Sequence, residues 1–248
     1  MILDEIVKNT VLRIREPEKS GEKYIPLSLK EAILSVRGRH AVIAEIKFSS
    51  PSAGTIRERV SPGIIAEEYR KGGCAAISVL TEPEYFGGRP EDIAAVKSVV
   101  SLPVLRKDFI IDLRQIQETR ALGADAVLLI AGLLGKRLDD FVSAAYAEGL
   151  EPLVEVHTPA EVELALASGA EIIGINNRDL RTMEVRPETT AVLAGSIRNA
   201  GRLVVSMSGI EGPEDIRRLS PYADAFLAGT ALMSAKDPKT VLEEFVCA

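Results

Sequence analysis

Residues 102–110 read LPVLRKDFI, an apolar run that turns within three residues into Arg106, Lys107 and Asp108. Pro103, Val104 and Leu105 have the character of a buried strand. A strand that ends in charge brings its tail to a polar surface or a pocket. Side chains alternate along a strand, so an inward Leu105 puts Lys107 and Phe109 on its own face. A lysine beside an aromatic ring at the mouth of an apolar core is costly unless it meets a ligand or an acid. Burial also lowers an ammonium pKa, which suits a general acid working near neutral pH. The plain alternative is a lysine that carries its charge out to solvent along an apolar stem. Taken alone the segment favours that alternative; the rest of the chain reverses it.

Outward from this segment, short runs rich in Val, Ile and Leu alternate with helical stretches. Strands are predicted over 41–48, 75–81, 126–130, 152–157, 172–176, 203–208 and 225–228, besides the opening one. Helices are predicted over 112–122, 137–148, 159–167, 187–198, 212–219 and 237–245, and from Ser61-Pro62 and Pro90. Ser61 followed by proline suits a helix start. Residues 49–54, SSPSAG, read as a flexible turn, and 85–88, YFGG, as a loop. Two helices precede the first strand, over 2–15 and from the capping box Ser28-Leu-Lys-Glu31 to about Val36. They are placed to cover an end of the barrel. Eight βα units in a 248-residue chain, with no break in composition, point to an α/β fold: one (β/α)8 TIM barrel over 41–248 with a helical extension over 1–40. No GxGxxG, Walker or nucleophile-elbow motif argues for a doubly wound sheet or a hydrolase.

The totals narrow the function. A net charge of -6 leaves no broad basic footprint for nucleic acid. The longest apolar runs fall far short of a membrane span, and the acids in MILDEIVKNT are unlike a secretory signal. Cys74 and Cys247 have no metal or redox spacing, so a reducing cytoplasm is the expectation, with Cys74 a small core residue. His40 and His157 are too few and too far apart to suggest zinc.

Polar residues gather at the predicted strand ends: Glu45 and Lys47 on the first, Lys107 on the third, Glu155 on the fifth, Asn176 and Arg178 on the sixth, Ser208 on the seventh and Thr230 on the eighth. In this fold that rim is where active sites are built. Lys107 and Glu155 make an acid and a base of opposite type, and Lys47 adds a second cation. Asn176 supplies amide hydrogen bonds. Arg178 suits a carboxylate or a pairing with Glu45. Ser208-Gly209 and Gly229-Thr230, after strands seven and eight, suit a phosphate cradle beside a short helix. Phe86, Phe109, Leu128 and Leu180 can wall an aromatic ring, although core packing explains each of them singly. A rim ion-pair network is the bland reading of the charges, and it explains Lys107 beside Phe109 poorly. His157 is left as a strand-end residue without a role.

The segments AEIKFSSPSAG (44–54), LTEPEYFGG (80–88), LPVLRKDFI (102–110), LGADAVLLI (122–130), GLEPLVEVH (149–157) and GINNRDL (174–180), with the SGI and AGTALM pieces near the end, resemble indole-3-glycerol phosphate synthase. They run in order from about residue 26 to the end. The resemblance implies ring closure, decarboxylation and dehydration of 1-(2-carboxyphenylamino)-1-deoxyribulose 5-phosphate, with no metal or organic cofactor, and a monomer or weak homodimer. It implies Lys107 as general acid toward the ketone and Glu155 as proton carrier in the dehydration. It gives Lys47 contact with the substrate carboxylate or a part in protonation. Glu45 and Asn176 orient the intermediate. Ser50, Ser208, Gly209, Gly229 and Thr230 hold phosphate, and Phe86, Phe109, Leu128 and Leu180 form the anthranilate pocket. Two positions depart from the family pattern. Met207 stands where a glutamate usually precedes Ser-Gly, and Phe48 where a basic residue usually follows the first lysine. An active enzyme is expected nonetheless. The rival readings are a phosphate-ester-binding barrel without turnover, and an isomerase of phosphoribosylanthranilate, which needs a strand-end cysteine that this chain lacks.

Overall fold

The computed structural model describes residues 2–16, 24–179 and 182–248. Eight parallel strands close into a barrel: β1 (Ala41–Ile46), β2 (Ala76–Leu80), β3 (Val104–Lys107), β4 (Ala126–Ile130), β5 (Glu151–Val156), β6 (Ile172–Asn176), β7 (Leu203–Met207) and β8 (Ala225–Ala228). Each pairs with its sequence neighbours, and β8 closes the ring on β1 from Ala41↔Ala225 to Ala44↔Ala228. Parallel pairing requires a crossover between successive strands, and helices supply it.

Strand parity sorts the apolar residues into two layers. Ile43, Leu105, Leu128, Leu153, Ile172, Val205 and Leu227 fill the barrel interior. Their alternates, among them Val42, Val79, Val104, Val127, Val154, Ile173 and Phe226, pack under the helices. Both faces of every strand are buried, which is why the strands read as continuous apolar runs. Leu105 does face inward and shares the inner layer with Phe109.

The two leading helices lie at opposite ends of the barrel, not together at one. Leu29–Ser35, capped by Ser28, puts Leu29 and Ile33 into the inner layer. It is tied to strand starts: the Ser28 hydroxyl donates to Glu151 Oε1 at 2.7 Å and the Leu27 N–H to Asp125 Oδ1 at 2.8 Å. Ile2–Arg13 lies at the other end. It buries Ile6 against the inner layer and reaches the loop after β2 through Glu5–Tyr85 and Asn9–Glu84 hydrogen bonds. Arg13 stands 3.8 Å from Glu82 and 3.7 Å from Asp108.

Two local expectations change. The first strand stops at Ile46, because Phe48 turns into the outer core, and Ser49–Ser50 then pairs antiparallel with Gly54–Thr55 instead of forming a loose turn. A short helix, Ala131–Leu134, follows β4 where none was predicted.

Candidate active site

Glu45, Lys107 and Glu155 are inward residues at the C-terminal ends of three different strands, and the ring closure brings them to one mouth. Glu45 lies between two lysines. Its Oε2 accepts from Lys107 Nζ at 2.6 Å, and its Oε1 stands 2.7 Å from Lys47 Nζ. Burial pushes the Glu45 carboxyl up, but the two ammonium charges outweigh it and hold the group at about 2. Stability gained from this cluster is therefore present above the ordinary carboxylate range and fades as pH falls toward 2.

The same contact corrects the expectation for Lys107. Burial alone lowers its pKa, but the charges of Glu45 and Glu155 outweigh burial and raise it above the ordinary lysine value. Lys107 is therefore a fixed cation that also carries a proton. Its side chain is 20% exposed, enough to reach a ligand. Of the two readings of Arg178, the pairing with Glu45 is not formed: both Glu45 carboxylate oxygens serve the lysines. The Arg178 guanidinium donates to the Met183 carbonyl at 3.0 Å and still lines the pocket.

Across the mouth, Asn176 Nδ2 donates to Glu155 Oε1 at 2.9 Å. Asn176 Oδ1 accepts from the Arg178 N–H at 3.0 Å, which fixes which way the amide points. Burial raises the Glu155 carboxyl, but His157, Lys107 and Asn176 outweigh it, leaving it below its ordinary value. His157, which had no role on sequence grounds, lies 3.2 Å from Glu155 Oε1. The alternation of EVH at 155–157 places both on one face, but their contact depends on the ring's second anchor, on β6.

One side of the pocket is apolar. Phe86 and Phe109 face each other with ring centroids 6.2 Å apart, and Leu128 lies beside them among the lining residues. Phe86 is positioned by Glu82, fully buried, whose carboxylate accepts the N–H groups of Glu84, Tyr85 and Phe86. Leu180, the fourth residue expected in this wall, lies outside the described residues. The opposite rim is small and polar: Ser50, Ser208, Gly209, Gly229 and Thr230 all line it. Ser208 and Gly209 are consecutive left-handed residues, with φ of 64° and 74°. At Gly229 a Cβ would come within 2.3 Å of Glu45 Oε1, so only glycine lets this strand end approach the carboxylate. Thr230 opens the short helix Thr230–Ser234.

Met207 and Phe48, the two positions expected to depart from the family pattern, both lie outside the pocket lining. Met207 is 1% exposed in the inner layer, and its thioether fills the space over Gly174 beside Leu153. Phe48 packs in the outer core with the Arg59 guanidinium 4.6 Å from its ring centroid. Among the described residues no group of three or more His, Cys, Asp or Glu is arranged to hold a metal, and no helix is long and apolar enough to cross a membrane.

A family model described as indole-3-glycerol phosphate synthase matches residues 6–245. A protein of that name from Carboxydothermus hydrogenoformans is 50% identical over 230 residues, covering 91% of this chain and 87% of the relative. Another from Methanopyrus kandleri is 41% identical over 254 residues, covering 98% and 97%. Among solved structures, tryptophan synthase from M. tuberculosis is similar with a TM-score of 0.66 at 14% identity, over 88% of this chain and 97% of that one. Thiamine phosphate pyrophosphorylase from Pyrococcus furiosus gives 0.60 at 17% identity, over 83% and 93%. At these identities the structural likeness is one of fold. With the family model spanning nearly its full length, the chain belongs to the indole-3-glycerol phosphate synthase family.

Proposed function

We propose that the chain converts 1-(2-carboxyphenylamino)-1-deoxyribulose 5-phosphate to indole-3-glycerol phosphate. The observation that carries the reading is the Lys47–Glu45–Lys107 cluster, set between an aromatic wall and a rim of small residues suited to a phosphate. Lys107 donates a proton to the ketone oxygen as the carboxylate-bearing ring carbon attacks the ketone carbon. Its fixed charge also stabilises the developing alkoxide. Lys47 meets the carboxylate, and Glu45 holds both ammonium groups in place. Carbon dioxide then leaves and its bonding electrons return to the ring. In the last step the new hydroxyl departs as water while the carbon beside the nitrogen loses a proton, with Glu155 moving the proton and Asn176 orienting it. Ser50, Ser208, Gly209, Gly229 and Thr230 take the phosphate. Phe86, Phe109 and Leu128 pack on the anthranilate ring, and Arg178 meets an anionic group. The sequence loses only carbon dioxide and water, so it balances without an added redox partner. We place it in a reducing compartment, in keeping with its two free thiols, Cys74 and Cys247.

The test is the appearance of indole fluorescence when purified protein meets substrate. Tight phosphate-ester binding without fluorescence would leave only the binding-barrel reading. Glu155→Gln keeps the shape and the Asn176 contact but cannot carry a proton. It is expected to bind substrate normally and lose roughly 10²–10⁴-fold in kcat, with the decarboxylated, still hydroxylated intermediate accumulating in quenched reactions. An unchanged rate would assign the proton to another group.

Met207→Glu restores the family residue at a place where this barrel is apolar. A carboxylate there lacks the solvent it needs, and a cost of about 2 kcal/mol lowers Tm by roughly 4–8 °C in a chain of this size. Catalytic efficiency, kcat/KM, is expected to stay within about tenfold, since Lys107 and Glu155 are untouched. A gain of several orders of magnitude would make the missing glutamate essential.

A further inference from the structure

We propose that His157 shares a single proton with Glu155 and so sets the protonation of that carboxyl group during the dehydration. The inference rests on the reaction proposed above and concerns a residue that does not itself line the pocket. His157 follows β5, and its ring is held at both nitrogens. Nδ1 lies 3.1 Å from the Asn176 carbonyl oxygen and Nε2 lies 3.2 Å from Glu155 Oε1. The His157 backbone N–H is tied to Glu161 Oε2 at 2.7 Å, which limits where the ring can go.

The proton count follows from what each partner can do. A backbone carbonyl only accepts, so Nδ1 carries a hydrogen. A neutral ring then has a bare lone pair on Nε2, and an ionised Glu155 offers it nothing but another lone pair. One added proton turns this repulsion into a charge-assisted hydrogen bond. The pair therefore rests as imidazolium with carboxylate or as imidazole with carboxylic acid, two forms of the same composition. Asn176 cannot replace that proton, because its amide already donates to the same Oε1.

The charges around the ring favour the ion-paired form. Glu155 on β5 and Glu161 on the helix Pro159–Ala167 hold the ring charged against the opposing effect of burial, raising its pKa above 6.5. Glu155 is in turn held below its ordinary value against burial by His157 first and then by Lys107 on β3, and Arg178 after β6 adds a further positive charge near Lys107. The proton reaches the departing hydroxyl through Glu155: the C–O bond breaks, an O–H bond forms and water leaves. The proton released from the carbon beside the nitrogen passes to Glu155 and back to the pair. One proton leaves and one returns. His157 is a positioning residue in this scheme, since only Glu155 touches substrate.

The chain has two histidines, so the ring nitrogens can be followed directly by 15N spectroscopy, with His40→Gln assigning the signals. The expected result is a hydrogen on Nδ1, with the second proton retained at Nε2 beyond the ordinary histidine range. A neutral ring with a bare Nδ1 near pH 7 overturns the proposal. In kinetics, kcat of the wild type should fall as pH rises through the raised histidine pKa. His157→Gln and His157→Asn should lose that limb and about tenfold in kcat, with KM nearly unchanged. A pH profile identical to the wild type in both variants also overturns it. Absence of turnover in the wild type would count against the reaction itself, and the spectroscopy would still decide whether the proton is shared.

Discussion

Lys107→Ala is expected to abolish ring closure while leaving phosphate binding in place. On the mechanism proposed above, two effects are removed together: the proton for the ketone oxygen, and a fixed positive charge where the alkoxide develops. Each is commonly worth about 10²-fold or more, so a loss of at least roughly 10³-fold in kcat is the expectation. The rim proposed to take the phosphate is built from the exits of β7 and β8 together with Ser50 after β1, whereas Lys107 ends β3, so inorganic phosphate should bind within about twofold of the wild type. Glu45 keeps Lys47 at 2.7 Å and does not become an unpaired buried charge, so the fold should survive. Lys107→Arg separates the two effects, because a guanidinium keeps the charge but does not give up its proton. It should remain far below the wild type. Unchanged turnover in Lys107→Ala would remove this residue from the chemistry.

Arg106→Ala should have the largest effect on stability. Arg106 is fully buried, an uncommon place for a guanidinium. It faces away from the barrel interior, and each of its three nitrogens has a partner: Nε meets Thr81 Oγ1 at 3.2 Å, Nη1 meets the Gln115 carbonyl at 3.3 Å, Thr119 Oγ1 at 3.1 Å and Glu118 at 2.8 Å, and Nη2 meets Asp108 at 3.2 Å. Truncation leaves Asp108, also buried, without its nearest countercharge and opens a cavity under the helix Arg114–Ala121. Breaking a buried pair from one side costs about 3–5 kcal/mol, which lowers Tm by roughly 6–20 °C in a chain of this length. Thermal unfolding checks the size of the loss, and a double-mutant cycle with Asp108→Ala checks its source. If the pair is the cause, the double variant loses clearly less than the two single losses combined. A Tm within 2 °C of wild type, on the order of measurement error for ~1 kcal/mol, would mean the network contributes little.

The stretch at 102–110 shows how far the sequence reading reaches. Its alternation correctly puts Leu105 and Phe109 on the inner face, because a strand has only two faces and one register decides both. The same rule identifies the face of Glu45 on β1, with Lys47 one residue past its end, and the Glu155 face on β5. It was silent about Arg106, which from sequence looks like the first residue of a charged strand end. Its partners come from the preceding strand's exit and the following helix, and no local pattern announces them. The pKa of Lys107 departs from the sequence expectation for a related reason. Burial can be guessed from a flanking apolar run, whereas a carboxylate 2.6 Å away, 62 residues earlier in the chain, cannot.

Sequence by itself determined the barrel, its eight strand positions, the face each strand presents and the family, because these depend on periodicities and motifs written in consecutive residues. The tertiary structure alone decided which charges meet. It gave Glu45 to the two lysines and left Arg178 to a backbone carbonyl, brought His157 against Glu155 through an anchor on the next strand, and sent the two leading helices to opposite ends. The physical reason is distance. Electrostatic and hydrogen-bond partners act over a few ångströms in space, and ring closure brings together residues far apart along the chain.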